Sequence, residues 1–454
     1  MFAGRGLRLV RGIPVVGSNR RYSSFQARSS NAYGQLDRAL KGLCATGRVR
    51  EAIGLLCRSG FKIDSGTYCL LLQECIFRKE YTKGRRLHSQ MIVVGHTPDE
   101  YLKTKLLILY AKSGNLRTAH IILNRLESQG VVSWNAMISG YVQMGFEESS
   151  LEFYHKMRES GEVPDQFTFA SVYRACASIA KLEQGKQAHG VMIKTLVGEN
   201  VVVNSSLMDM YFKCSNIDDA RRVFEKSPLK NVITWTALIS GYGLHGRVVE
   251  VLECFHKMID EGFTPNYVTY LAVLCACSHG GLVNEGKEYF LSMTRDYNIL
   301  PQGKHYAAMV DLYGRAGRLQ EAYDFVQSSP CSKHSVIWGS LLGACRIHGD
   351  VNLARIAAKK YFELEPANAG KYIVLSNAYA SCGLWDKVAK VRGDMKKSGM
   401  KKEPSYSRVE VQQKMHYFFM EDNSHEQTEE VYDLIKEMTS VLTNARYVPD
   451  LMND

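Results

Sequence analysis

Histidine and cysteine are the residues of this chain whose side chains are best suited to hold a metal ion or to act as nucleophiles. The sequence contains 13 His and 12 Cys, but it has no C-x-x-C pair, and Cys275 and Cys277 are the closest two cysteines. No His is followed by Glu two positions later. Glu426 comes directly after His425, which is one position too early for the pattern H-x-E. Zinc-dependent deaminases need both patterns, for zinc ligands and for proton transfer. We therefore expect no catalytic residue, no metal site, no cofactor and no small-molecule substrate.

Some of these side chains recur at one fixed interval of 101 residues, which indicates a structural role. Small apolar side chains in repeated helices behave in this way, so we interpret the cysteines as reduced and buried. The repeated histidine is replaced by Phe in the third copy, so packing explains it better than metal ligation. The residues concerned are Cys75, Cys176 and Cys277, together with His88, His189 and Phe290.

The interval of 101 residues is an internal repeat of the chain. The segment 131–141, VVSWNAMISGY, matches the segment 232–242, VITWTALISGY, position by position in residue type. Gly84, Gly185 and Gly286 are related by the same interval. Agreement at so many positions identifies a repeat protein, and repeats of this kind build extended arrays.

Each unit of 101 residues contains three shorter modules, with lengths of about 35, 35 or 36, and 31 residues. Every module has an apolar pattern at helical spacing, a break with Gly, and a second helical pattern, which predicts a helical hairpin. Neither helix can bury its apolar face alone, so stacked neighbours must complete the core of an all-α solenoid. The modules begin near residues 33, 65, 100, 131, 166, 201, 232, 267 and 303.

The composition is that of a folded protein, and the net charge would suit an acidic partner. Apolar residues make up 45% and charged residues 23% of the chain, which is too apolar for disorder. The formal net charge is +11, which favours nucleic acid as the partner, although a solvated basic surface remains the alternative. No run of 18 apolar residues occurs, so we expect no membrane span.

The amino terminus has the composition of an organellar transit peptide. Residues 1–36 contain no Asp or Glu, and six Arg are spread among Ser and small apolar residues. The stretch from Arg20 to Ser24 is typical of mitochondrial processing. We therefore predict a transit peptide over residues 1–30, with a disordered basic arm as the alternative reading.

The helical hairpins resemble the pentatricopeptide repeat family. Modules of about 35 residues that end in Pro164-Asp165 or Pro265-Asn266 are similar to its motif rather than to the 34-residue tetratricopeptide repeat. The alternation of lengths resembles the plant PLS subclass, in which P, long and short motifs follow one another. The resemblance implies a right-handed superhelical α-solenoid of helix-turn-helix repeats. It covers residues 31–334 as an array of about nine motifs.

The carboxyl-terminal part resembles the extensions that follow such arrays. Residues 335–407 are similar to the E motifs, and residues 408–454 are similar to the E+ extension, up to Tyr447-Val448-Pro449-Asp450. Arg408 departs from that pattern, which usually has Trp at this place. Relatives with a longer tail carry a DYW-type cytidine deaminase domain after this element, whereas the sequence given ends four residues later.

The resemblance also implies how RNA bases are read. The fifth residue of a motif lies on its first helix, and the last residue lies just before the next first helix, so both reach one nucleotide. Asn135 with Asp165 implies uracil, whereas Ser205 with Asn231 and Thr236 with Asn266 imply adenine. The alternative reading of such residues is helix capping. Apolar second residues, which sandwich the base, are Val132, Val202 and Ile233.

Other motifs are less legible at the same two positions. In the family's alignment the last short motif lies about four nucleotides upstream of the edited cytidine, which gives U at about −9 and A at about −7 and −6. The weaker candidates for base reading are Thr104 with Gly130, Ala170 with Asn200, and Ala307 with His334.

These observations predict a sequence-specific binder of single-stranded organellar RNA. The leading hypothesis is a site-recognition factor for C-to-U editing in mitochondria, or alternatively chloroplasts, that recruits a DYW-type cytidine deaminase or an editing accessory protein in trans. One alternative is a factor for the stability, splicing or processing of organellar RNA. Another is a protein scaffold of tetratricopeptide-like hairpins, which would lack small polar pairs.

Overall fold

The structure is a computed structural model of the 454-residue chain. It describes residues 34–195, 197, 200–364, 369–381, 383–399, 406–411, 414–419 and 427–444. The predicted transit peptide over 1–30 lies outside the described residues. The chain divides into two compact units, with the boundary between Ser171 and Val172.

The described residues form helices throughout, with one pair of strands near the carboxyl end. None of the described helices is both long and apolar enough to cross a membrane. The elements are α1 (34–45), α2 (Val49–Ser59), α3 (Ser65–Phe77), α4 (Tyr81–Val93), α5 (Glu100–Lys112), α6 (Leu116–Leu123), α7 (Val131–Gln143), α8 (Glu147–Glu159), α9 (Gln166–Ile179), α10 (Leu182–Lys194), α11 (Val201–Lys213), α12 (Ile217–Lys226), α13 (Val232–Leu244), α14 (Val248–Asp260), α15 (Tyr267–Gly280), α16 (Val283–Arg295), α17 (Gly303–Arg315), α18 (Leu319–Ser328), α19 (Ser335–His348), α20 (Val351–Leu364), α21 (Ala369–Ser381), α22 (Trp385–Lys397), β1 (Tyr406–Val411), β2 (Lys414–Phe419) and α23 (Thr428–Asn444).

The helices are arranged as hairpins, so the predicted all-α solenoid is confirmed. In the first unit α5 packs against α6, and it also packs on α3 and α7, the first helices of the neighbouring hairpins. In the second unit α11, α13, α15, α17, α19 and α21 are stacked in the same way, each on the next. The first helices therefore form a continuous layer within each unit, and the second helices cover it.

In five hairpins the last residue of the preceding module caps the first helix with its polar side chain. Asp64, Asp99, Asn200, Asn231 and Asn266 each accept a hydrogen bond from a first-turn N–H of the helix that follows. Such caps satisfy N–H groups that a helix cannot pair internally. The module starts predicted at 65, 100, 131, 166, 201, 232, 267 and 303 are accordingly the first residues of α3, α5, α7, α9, α11, α13, α15 and α17.

The difference in module length lies in the second helices. The first helices from α3 to α21 all have 13 or 14 residues. Among the second helices, α4, α8, α10, α14 and α16 have 13 residues, whereas α6 has 8 and α12 and α18 have 10. Every third hairpin therefore has a second helix about one turn shorter.

The turn inside each hairpin contains one residue with positive φ. In most of these turns the residue is Gly, which adopts this conformation without steric cost. The three turns that lack Gly use Lys79 at 58°, Ala180 at 55° and Ser215 at 58°. Side chains with a Cβ are less stable there, so these three turns are the weaker ones.

The stacking of first helices requires close approach at one repeated position. Gly241 in α13 faces Phe212 in α11, and a Cβ built on it would lie 2.1 Å from the Phe212 Cδ2 atom. Phe212 is fully buried, so its ring has no room to move. One repeat earlier, a Cβ on Gly140 would lie 3.1 Å from the Ala111 Cβ atom. Glycine at this position lets neighbouring first helices pack.

A two-stranded antiparallel sheet follows the last hairpin. Strands β1 and β2 pair in register from Tyr406 with Phe419 to Val411 with Lys414. The rings of Tyr406, Tyr417 and Phe419 lie together on one face, with centroids 5.6 and 5.7 Å apart. The sequence analysis predicted an extension here but not its strands.

We expect the substitution Gly241→Ala to lower the free energy of unfolding by about 1–3 kcal/mol, because the added methyl group overlaps a ring that is held on all sides. The matched control is Gly243→Ala in the same helix, where the nearest atoms are 4.0 Å away. It should raise stability by about 0.5–1 kcal/mol, because Ala is the better helix former. Chemical denaturation of the full chain measures both. Equal effects of the two substitutions would contradict this account of the packing.

Candidate nucleic-acid interface

In the first unit the predicted pair Asn135 and Asp165 is held together. The Asn135 Nδ2 atom donates a hydrogen bond of 2.9 Å to Asp165 Oδ1. Thr168 completes the cluster, since its hydroxyl donates to Asn135 Oδ1 at 2.6 Å. The same Asp165 Oδ1 atom accepts from the backbone N–H groups of Phe167 and Thr168, each at 2.9 Å. Asp165 is therefore the cap of α9 and the partner of Asn135 at once.

In the second unit Thr236 and Asn266 form an equivalent cluster with Thr269. Asn266 Nδ2 donates to Thr236 Oγ1 at 3.3 Å, and the two threonine hydroxyls are 2.9 Å apart. The Thr236 hydroxyl also lies 2.6 Å from the carbonyl oxygen of Val232, to which it donates. Asn266 Oδ1 accepts from the N–H groups of Val268 and Thr269 at 2.8 and 3.0 Å, which caps α15.

The third predicted pair, Ser205 and Asn231, is placed differently. The Ser205 hydroxyl donates to the carbonyl oxygen of Val201 at 2.7 Å, within its own helix. Asn231 Oδ1 accepts from the N–H groups of Ile233 and Thr234 at 2.9 and 3.1 Å. The two side chains bond to their own helices and not to each other, so this pair lacks the preformed contact of the other two.

The two preformed pairs leave different polar atoms unused. Among the described residues no hydrogen bond engages Asp165 Oδ2, which is an acceptor. Asn266 Nδ2 keeps a second N–H, which is a donor. An acceptor suits the N3–H of uracil, and a donor suits N1 of adenine, on the base edges that single strands expose. The two clusters therefore offer opposite hydrogen-bonding groups, and their reading of uracil and adenine stays a prediction.

Exposed apolar side chains stand beside these clusters, at the second position of the first helices. Val132 is 59% exposed, Val202 56% and Ile233 54%, although side chains of this kind are usually buried. Tyr101 and Phe167, both 62% exposed, occupy the same position in α5 and α9. These two residues were not predicted from the sequence, where their signal is an aromatic residue directly after the first residue of a module. Aromatic rings are the better platforms for stacking bases.

Three of the weaker candidates take part in the structure of the helices. The Thr104 hydroxyl donates to the carbonyl oxygen of Glu100 at 2.9 Å, and Gly130 caps α7 without a side chain. Asn200 Oδ1 accepts from the N–H of Val203 at 2.9 Å and caps α11. Their reading of bases stays a prediction.

The other weaker candidates lie in less polar surroundings. Ala170 and Ala307 are buried in the layer of first helices and present no polar atom. His334 precedes α19, and its ring does not cap the helix. It lines a cavity of about 780 Å³ together with Leu271, Gln302 and Lys304. This part of the second unit resembles a wide apolar pocket rather than a polar pair.

The repeated histidines and cysteines have structural roles. His88 Nδ1 lies 2.8 Å from the hydroxyl of Tyr110, and His189 Nδ1 lies 2.9 Å from that of Tyr211. Burial lowers the pKa of His88. Burial also raises the pKa of Cys176 to about 12, so its thiol stays protonated. The eleven cysteines in the described part are free, and no group of three or more potential metal ligands occurs there.

Three basic residues of the second unit, Arg221, Arg222 and Lys230, are engaged in contacts within the protein. Arg221 and Arg222 lie on α12, a second helix, where they pair with Glu225 at 2.7 Å and Asp219 at 2.9 Å. Lys230 lies over the ring of Phe224 at 4.9 Å. Lys105, by contrast, lies on a first helix, α5. Its Nζ atom is 5.1 Å from the centre of the exposed Tyr101 ring.

Family models match along most of the array and into the extension. The PPR repeat family model matches residues 129–178 and 230–279, and the PPR repeat model matches residues 205–232, 268–297 and 304–328. The E motif model matches residues 348–410. The matched segments contain the Asn135 and Thr236 clusters.

Similar proteins occur in Arabidopsis thaliana. One pentatricopeptide repeat-containing protein is 54% identical over 450 residues, which cover 99% of this chain and 89% of the relative. A second, labelled mitochondrial, is 37% identical and covers 88% of this chain and 63% of the relative. A third, labelled chloroplastic, is 36% identical over 88% of this chain and 46% of its own length.

Solved structures share the fold. The pentatricopeptide repeat protein PPR10 in complex with an 18-nt psaJ RNA element is 18% identical and superposes with a TM-score of 0.65 over 83% of this chain and 57% of its own. PPR10 from maize in a further crystal structure gives a TM-score of 0.54 at 19% identity, over 85% of this chain and 57% of its own. Repeat period, helical hairpins, family models and relatives agree, and the chain belongs to the pentatricopeptide repeat protein family and carries its E motif.

Proposed function

We propose that this protein binds single-stranded RNA by the edge where the first helices begin, one nucleotide per hairpin. The observation that carries the proposal is the preformed pairing of Asn135 with Asp165 and of Thr236 with Asn266. Each pair presents an unused polar atom beside an exposed apolar residue, so a base finds a hydrogen-bonding partner and a stacking surface together. The RNA in the PPR10 crystal structure supports the same ligand class.

We propose further that the bound RNA lies just upstream of a cytidine that is edited to uridine. The support is the E motif at residues 348–410, which follows the array. The sequence contains no H-x-E and no C-x-x-C, so this chain acts as the recognition factor and not as the enzyme. A DYW-type cytidine deaminase or an accessory protein joins in trans.

The proposed site of action is the mitochondrion. Residues 1–36 lack acidic residues and carry dispersed Arg, as transit peptides do. Relatives carry mitochondrial or chloroplastic labels, so plastids are the competing compartment. Import of a fluorescent fusion in plant cells distinguishes the two.

Gel-shift binding of the full chain to short RNAs tests the base reading. RNA with U at about −9 and A at about −7 and −6 should bind better than RNA with these bases exchanged, by about 1–3 kcal/mol for each exchange at a preformed pair. Exchange of the base at −7 should lower the affinity least, because Ser205 and Asn231 are not hydrogen-bonded to each other. Absence of RNA binding at low salt would favour the protein scaffold. Binding without any preference would contradict the reading by polar pairs.

The substitution Asn266→Asp should change which base is preferred at about −6, the position assigned to Thr236 and Asn266. Asp caps helices as well as Asn does, so the fold is kept, but a carboxylate oxygen replaces the free N–H donor. We expect affinity for adenine to fall about tenfold or more and bases with an N–H on that edge, guanine above all, to bind better. The control is Asn115→Asp. Asn115 caps the second helix α6 and is not one of the residues predicted to read a base. A uniform loss for all bases would speak against base reading by Asn266.

A further inference from the structure

The β hairpin of the carboxyl-terminal extension contacts helices far away in sequence. Arg408 in β1 donates a hydrogen bond from its guanidinium to the carbonyl oxygen of Ser178, in the last turn of α9. Glu410, two residues on, accepts a hydrogen bond of 3.2 Å from the backbone N–H of Glu183, in the first turn of α10. Both contacts lie inside the second unit and span more than two hundred residues of chain.

The charges of the two residues match the helix ends that they meet. The carboxyl end of a helix carries partial negative charge and unpaired carbonyl groups, and the amino end carries partial positive charge and unpaired N–H groups. Arg408 meets the first kind of end and Glu410 the second. Helix α10 starts after Lys181, whose side chain makes no capping hydrogen bond, so Glu410 supplies the cap that the local sequence lacks.

Burial along the strand agrees with docking by this face. Arg408 and Glu410 are half-buried, whereas Ser407, Val409 and Val411, which alternate with them, are exposed. Tyr406, at the start of the strand on the same face as Arg408, is exposed as well. Residues two apart in a strand point to the same face. The turn beneath them contains Ala180 with φ of 55°, one of the three turns without Gly. The hairpin thus covers a turn that is among the weaker ones of the array.

We propose that the hairpin 406–419 is a reversible latch, which docks on the ends of α9 and α10 through Arg408 and Glu410 and ties the part of the extension after α22 to the array. The occupant of this surface is the hairpin of the same chain. A partner that binds Arg408 or Glu410 must displace the hairpin, while α19 to α22 stay stacked on the array. The proposal does not depend on RNA binding.

Hydrogen exchange of the full chain tests the latch. The N–H of Glu183 is protected by Glu410, so Glu410→Ala should speed exchange in the first turn of α10 by about tenfold, since hydrogen bonds to charged groups are the stronger ones. Raising the salt from about 0.1 M to about 1 M should speed it in the unaltered chain as well, because screening weakens both contacts. The control Glu429→Ala removes an exposed carboxylate on α23 and should change nothing.

A second readout keeps the test valid if a variant loses stability as a whole. Burial raises the pKa of the half-buried Cys214 thiol to about 12. The charge of Glu410 raises this pKa further and that of Arg408 lowers it, so the thiol lies near the latch. Cys254, also half-buried, serves as the internal reference. Release should speed alkylation of Cys214 severalfold and leave Cys254 unchanged.

Three outcomes would overturn the latch. Exchange near Glu183 that is the same with and without Glu410 would show that the hairpin does not dock. Protection that grows with protein concentration would place the hairpin on a second copy of the chain. Equal acceleration of both cysteines would indicate general unfolding instead of release.

Discussion

The structure depends on the contact between the first helices of successive hairpins. A hairpin of two short amphipathic helices leaves apolar surface uncovered, and the next hairpin must cover it. This contact is close enough that a Cβ on Gly241 would overlap Phe212, and a Cβ on Gly140 would be in tight contact with Ala111. The layer of first helices is therefore packed like the interior of a globular domain, although the array grows in one direction only. This layer positions the capping residues and polar pairs at the starts of the first helices.

The residues that we propose to read bases are also residues that cap the first helices. A helix needs an acceptor for its first N–H groups, and Asp165, Asn231 and Asn266 provide one. The cap must have a defined rotamer to do so, and in the proposed binding mode the same rotamer directs the remaining polar atom towards the base. Asp165 and Asn266 are tied in addition to Asn135 and Thr236 of the preceding hairpin. Little side-chain entropy is then left to lose when a base binds.

The sequence allowed accurate prediction where the signal is local and repeated. Module starts coincide with helix starts, because caps and apolar spacing act within a few residues and recur. The orientation of Ser205 was not predictable, because a short hydroxyl side chain chooses between its own helix and the next hairpin by packing alone. The docking of Arg408 and Glu410 was equally out of reach, since it joins segments more than two hundred residues apart. The aromatic residues Tyr101 and Phe167 were passed over because they fit the apolar pattern of a helix.

The short second helices α6, α12 and α18 have a consequence for how such arrays change over evolution. Modules differ in length by four or five residues, yet the first helices keep 13 or 14 residues throughout. Deletions are thus absorbed in the outer layer, and the spacing of successive polar sites along the inner layer is maintained. In the proposed binding mode, with one nucleotide per hairpin, the register with the RNA is counted in hairpins and not in amino acids. A lineage can therefore shorten or lengthen its modules without shifting the frame in which the array is read.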